Sequence, residues 1–195
     1  MTTLVPIVEG HSEVEAVPLL LRRLLADARR SNIQIARPIR TGRYKIVRPG
    51  ELERAFQYAR LRPEGCDAIL LLLDADDEPP CELGPRLLMQ AQQVSADLPC
   101  KVVIANREFE SWFLGSIESL RGQRGIAQDA VSLDHPEMPR DAKGHLTRLM
   151  TAGRTYVEVD DQPSFAASFD MQAARNNCPS FDKLVRDLQA LLEQL

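Results

Sequence analysis

Several acidic side chains stand where apolar runs stop. Glu9 follows the run LVPIV, Asp74 follows AILLLL with Asp76 two residues on, and Glu108 comes shortly after KVVIA. If those runs are strands, each carboxylate sits at a strand end. Like charges a few ångströms apart raise one another's pKa unless a cation neutralises them. Oxygen donors without histidine or cysteine suit Mg²⁺ or Mn²⁺ rather than zinc. Mg²⁺ keeps several waters and binds phosphate oxygens, so phosphoryl chemistry is the natural use of such a set. On this reading Asp74 and Asp76 are the principal metal ligands, and Glu9 is a ligand or a general base. Gly10 would let backbone approach a ligand closely. Asp77 and Glu78 are expected to be solvated. If 106–114 is helical, Glu108 and Glu110 lie about 200° apart round the helix and cannot both serve; Glu108 is the preferred one. Phe109, Trp112 and Phe113 are expected in the core.

The elements that position these acids can be read from periodicity. Residues 3–8 predict a short buried strand. Ser12 and Glu15 fit a capping box opening a helix, in which Glu13 complements the helix dipole. Val14, Val17, Leu20, Leu21, Leu24 and Leu25 follow helical spacing to about Arg30. Residues 33–39 alternate as a strand up to Pro38. Pro49 suits the first turn of a helix running to about Arg60. The apolar run at 68–73 fits a strand covered on both faces, as in a parallel sheet. A helix at 83–94 and a strand at 101–105 follow. This alternation predicts an α/β fold with a largely parallel sheet flanked by helices. Residues 115–165 read as loops with a short helix near 146–150. Phe181, Leu184, Val185, Leu188, Leu191, Leu192 and Leu195 form one helical stripe, with Ser180 as N-cap and the core as the expected partner. Residues 1–115 are thus expected to form the core domain, and 116–195 a loop-rich, mostly helical C-terminal extension packed on it.

Composition narrows the function classes. The chain has 195 residues, 44% hydrophobic and 27% charged, as in ordinary globular domains. No apolar run approaches the roughly 20 residues needed to span a bilayer. No basic stretch precedes the first apolar segment, so no signal peptide is expected and the cytoplasm is the default location. The four cysteines are scattered and none forms a C-x-x-C pair, which argues against a zinc site or a disulfide framework. A net charge of −4 argues against nucleic-acid binding by bulk charge. The charge is uneven, however. Residues 34–62 hold eight basic side chains against Glu51 and Glu53. There Arg40, Arg43 and Lys45 are candidates to hold substrate phosphates, although a solvated helix and loop surface gives the same count. No G-x-x-x-x-G-K-[ST] pattern occurs, so any ATPase activity must come from another chain.

VEG followed by Ser12-Glu13, and then LLLLDAD, resembles the Toprim domain of topoisomerases, primases and OLD-family nucleases. The resemblance to OLD-type nucleases implies that Glu13 is a further metal ligand, that Glu108 in Asn106-Arg107-Glu108 stands in a Ser-x-Glu position, and that Lys143 in RDAKGHL is catalytic. Asn106 departs from the expected serine. The stretches NREFESWFL, YVEVDDQPSFAASFD and CPSFDKL resemble small RloG-like Toprim proteins encoded beside ABC-type ATPases in phage-defence loci. The Toprim resemblance covers about residues 3–115, and the RloG-like one extends along the chain. It implies a Mg²⁺- or Mn²⁺-dependent nuclease acting on DNA or RNA with a separate ATPase partner. The competing readings are a non-catalytic regulatory module, whose apolar C-terminal stripe would be buried in a partner, and a phosphohydrolase or nucleotidyl transferase. A homo-oligomer is compatible with either.

Overall fold

Apolar side chains on both sides of successive strands require a layer of helices on each face. The computed structural model, which describes residues 2–195, has that arrangement. β1 (Thr2–Val8) leads into α1 (Glu13–Asp27), then β2 (Ile33–Ile35), β3 (Ile39–Arg40), α2 (Arg43–Ile46) and α3 (Glu51–Arg60). β4 (Ala68–Asp74), α4 (Pro80–Val94), β5 (Cys100–Ala105) and α5 (Ser111–Leu114) complete the alternating part. A 3₁₀ turn at Ile117–Leu120 follows, then α6 (Ala142–Arg148), α7 (Glu158–Ala166), α8 (Met171–Asn177) and α9 (Pro179–Leu192). The sheet runs β2-β1-β4-β5, with β3 also paired to β1, and every pairing is parallel.

The two faces divide by residue parity, as the period-2 geometry of a strand demands. Leu4, Val8, Leu70, Leu72, Val103 and Ala105 share one apolar cluster with α1, α5, α7 and α9. Val5, Ile7, Ile69, Leu71, Leu73 and Ile104 share the other with α3 and α4. Residues after 115 therefore bury their apolar side chains in the same cluster as β1 and β4. No helix among the described residues is long and apolar enough to cross a membrane.

The single strand expected at 33–39 is broken in two. Thr2 lies opposite Ile33 but Ile7 lies opposite Ile39, so the outer strand spends one extra residue over that length. Pro6, which has no N–H to donate, falls opposite the break, where the outer edge needs none.

Other boundaries move for local reasons. Gly50, in the left-handed region at φ 80°, caps α3, and Pro49 lies outside it. No capping box forms at Ser12: its hydroxyl donates to Glu158 Oε1 at 3.0 Å instead. Cys178 caps α9 and Ser180 lies inside it, where its hydroxyl accepts from the Trp112 indole N–H at 2.8 Å. The helix read near 146–150 lies earlier, because Asp141 caps α6 by accepting from the Gly144 N–H. Helices α7 and α8 occupy sequence in which mixed polarity hides the period.

Candidate active site

Parallel pairing brings the carboxyl ends of β1, β4 and β5 side by side, with Val8 opposite Leu72 and Asp74 opposite Ala105. This is the edge at which open α/β sheets bind ligands. The acids there are linked through backbone amides. The Asp74 N–H donates to Glu9 Oε2 at 3.4 Å, and the Glu9 N–H to Glu13 Oε2 at 3.1 Å. The Phe109 N–H donates to Asp74 Oδ1 at 2.8 Å, tying the turn after β5 to the end of β4. A Cβ at Gly10 would stand 2.8 Å from Glu13 Oε1, so any larger residue there would displace the Glu13 carboxylate.

Behind these acids lies a second polar layer. Glu110 is fully buried and accepts from the Tyr156 hydroxyl at 3.0 Å and from Gln162 Nε2 at 3.1 Å, both on its Oε1. Its other oxygen, Oε2, meets no donor among the described residues. Lys143 Nζ lies 3.9 Å from Glu110 Oε1 and donates to Glu158 Oε2 at 2.6 Å. α1, α6, α7 and the turn before α5 are thus joined by one network.

The electrostatics of the edge are those of an acid set short of positive charge. Burial, and then the charges of Glu110 and Glu9, push Glu13 up to about 8. Burial raises Glu110 to about 7 even though Lys143 pulls it down. Asp74 is held well above the usual carboxylate range by burial and by Glu13, Glu110 and Glu9. Glu9 is raised by burial and by Asp76. Burial alone would lower Lys143, but Glu110 and Glu158 overcome it and hold the ammonium charged.

A stability prediction follows. A carboxyl whose folded pKa is raised stabilises the fold while protonated. Its contribution is whole below the unfolded value near 4.5 and drains away as pH rises through about 7 to 8. Urea denaturation of the metal-free protein should therefore show a loss on the order of a few kcal/mol between about pH 5 and pH 8.5. Glu13→Gln should flatten that slope. An unchanged slope would mean that Glu13 is not strained by its neighbours.

The candidates from sequence divide into three groups. Glu9, Glu13, Asp74 and Lys143 are brought together. Asp76 adopts φ 51° and points its carboxylate at Arg43 Nε, 3.3 Å away. Arg43 is buried and committed: it donates to the Asp74 carbonyl at 2.7 Å and to Glu78 Oε2 at 2.7 Å. It braces the β4 end, and Glu78, expected to be solvated, is its partner. Arg40 and Lys45 are exposed on the flank, with Lys45 Nζ 3.5 Å from Glu51.

The order of preference between Glu108 and Glu110 rested on a helix that does not begin until Ser111. In the turn that takes its place, Glu108 accepts from the Ala142 N–H at 3.1 Å and supports α6. Glu110 is the acid buried behind Asp74. Tyr156, Glu158 and Gln162 were not legible as site residues. Their stretch stood out only through its likeness to a family, and its spacing carries no carboxylate pattern.

A divalent cation fits this edge by two observations. The donors are all oxygens, and the acids are short of compensating charge while Glu110 Oε2 remains unpartnered. Against a rigid cage, no three Asp, Glu, His or Cys side chains among the described residues converge closely enough to hold an ion as they stand.

The family model described as "Domain of unknown function (DUF4276)" matches residues 8–189. No curated protein matches. One similar solved structure is the C-terminal region of the Xanthomonas campestris pv. campestris OLD protein. It has 18% identity and a TM-score of 0.44, with 98% of each chain covered.

Proposed function

The chain belongs to the DUF4276 family, and we propose that it is a divalent-metal-dependent phosphodiesterase acting on nucleic acid. One observation carries this reading: of the adjacent parallel strands, β1 leads directly into Glu9 and β4 ends in Asp74, with buried Glu13 and Glu110 behind them and the Lys143 ammonium beside them. The Toprim-like motifs around Glu9 and Asp74 support the same chemistry, as does their likeness to OLD-type nucleases. Glu9, Glu13 and Asp74 would hold Mg²⁺ or Mn²⁺, with Asp76, paired to Arg43 in this structure, as a further oxygen donor nearby. The ion supplies charge neutralisation and an acidified water when bound. Lys143, kept charged by Glu110 and Glu158, is placed to stabilise negative charge on phosphoryl oxygens. The RloG-like stretches favour a partnership with a separate ATPase in phage defence.

The test is cleavage of plasmid or transfer RNA by the purified protein, with and without the ATPase encoded beside it. Cleavage should require Mg²⁺ or Mn²⁺ and stop with EDTA. Lys143→Met should slow it by about 100-fold, the loss seen when one charge-stabilising donor is removed. Absence of cleavage of either polymer under every divalent ion would overturn the reading. It would favour the second reading, a non-catalytic binding module, for which the lack of a ready-made cage speaks.

A further inference from the structure

Beside the carboxylate edge, α2 and α3 enclose an open cleft of about 460 Å³. Arg40, Lys45, Arg54, Tyr58 and Leu61 are among the residues that line it. Three cations face a single lining carboxylate, Glu51, which is 3.5 Å from Lys45 and 2.9 Å from Arg54. Tyr58 is 56% exposed, with the Arg62 guanidinium over its ring at 5.8 Å from the centroid, and Tyr44, on α2 outside the cleft lining, is 79% exposed. Neither ring belongs to either apolar core.

The strand that carries Arg40 is paired to the strand that leads into Glu9. Arg40 pairs in register with Val8, and the Thr41 N–H donates to the Val8 carbonyl at 2.8 Å, one residue before Glu9. Arg43, from the turn that follows, reaches the Asp74 carbonyl. A polymer whose scissile phosphate lay at Glu9 and Asp74 would have its flanking phosphates beside Arg40.

Cations that track a backbone, interleaved with exposed rings that offer flat faces, are the ingredients of single-strand recognition. A duplex keeps its bases stacked inside and cannot use the rings. We infer that this cleft binds single-stranded nucleic acid, with Arg40, Lys45 and Arg54 on phosphates and Tyr58 stacked on a base. The inference rests on the nuclease reading for its substrate class and adds that the strand entering the site is unpaired.

The test is fluorescence anisotropy of a labelled oligothymidylate and of a hairpin duplex, in EDTA so that no cleavage intervenes. The single strand should bind more tightly than the duplex. Tyr58→Ala should weaken single-strand binding by about 10-fold, within the range for loss of one base stack, and Tyr58→Phe should restore it. Arg40→Ala should reduce the slope of log K against log salt by about 0.7, one phosphate contact on a single strand. Both side chains are exposed, so the variants should melt like the wild type.

Preference for the duplex, or wild-type binding by both Tyr58→Ala and Arg40→Ala, would overturn the inference. Cleavage measured separately with Mg²⁺ keeps the two readings apart. Binding through Tyr58 without cleavage sinks the nuclease and leaves the cleft. Cleavage unaffected in rate and in binding by both variants sinks the cleft and leaves the nuclease.

Discussion

Asp74→Asn should abolish metal-dependent cleavage while making the metal-free protein harder to melt at pH 8. The substitution keeps the shape and the acceptor: an amide oxygen at the Oδ1 position can still take the Phe109 N–H, which lies 2.8 Å from it in the parent. It replaces a carboxyl that burial first, and then the charges of Glu13, Glu110 and Glu9, hold well above the usual range with a group that never has to ionise there. A carboxylate cluster strained by its own charge relaxes when one member becomes neutral. For a chain of this size, each kcal/mol of relief raises Tm by about 2–4 °C. The same change deletes a proposed metal ligand, and a loss of at least about 100-fold in rate is expected by analogy with removal of one preorganised charge-stabilising group. Opposite signs for activity and stability mark a site where electrostatic strain is held for function. A variant that loses both would show Asp74 to be merely structural, and one that loses neither would remove it from the site.

Trp112→Ala should give the largest fall in stability, and the fall should take the whole chain with it. Trp112 is completely buried, with Phe109 and Phe181 at ring-centroid distances of 4.7 and 5.2 Å. Its indole N–H donates to Ser180, whose hydroxyl in turn donates to Glu137. Truncation leaves a large cavity and takes away the donor to the Ser180 hydroxyl, which keeps its bond to Glu137, for about 3–5 kcal/mol. At about 2–4 °C per kcal/mol, Tm should drop by about 6–20 °C. Because Trp112 joins the sheet side to α9 within one apolar cluster, calorimetry should show a single transition, shifted downward. Two separated transitions would mean that residues after 115 fold as an independent unit.

Sequence was a good guide wherever hydrophobic period and strand geometry act locally. The run at 68–73 is buried on both faces because its alternate residues belong to different cores, and that pattern is visible in the letters alone. The stripe from Phe181 to Leu192 is legible for the same reason. It is buried within the chain's own core, against β5. The parallel direction of β1, β4 and β5 follows from strand–helix alternation, while their adjacency, and hence the meeting of Glu9 with Asp74, is set by the sheet order.

What stayed hidden depends on contacts between distant segments. Glu110 outranks Glu108 in burial only because a turn, not a helix, precedes Ser111, and because Tyr156 and Gln162 arrive from more than forty residues away. Ser12 resembles a helix cap by its neighbours, but its hydroxyl is taken by Glu158, on α7. Arg43 reads as one of several surface cations, yet the chain buries it against Asp74, Asp76 and Glu78. A residue's type sets what it can bond, while the fold decides which partner reaches it first.

The claim underlying the proposed function is that Glu9, Glu13 and Asp74 share one divalent cation. Titration calorimetry with Mn²⁺ near pH 7, in two buffers of different ionisation heat, tests it most directly. Glu13 and Glu110, raised to about 8 and about 7, hold protons there that a bound cation must expel. The expected result is saturable binding with net proton release on the order of one per ion, lost in Asp74→Asn. Absence of binding at millimolar Mn²⁺, or binding that survives Asp74→Asn with no proton released, would contradict it.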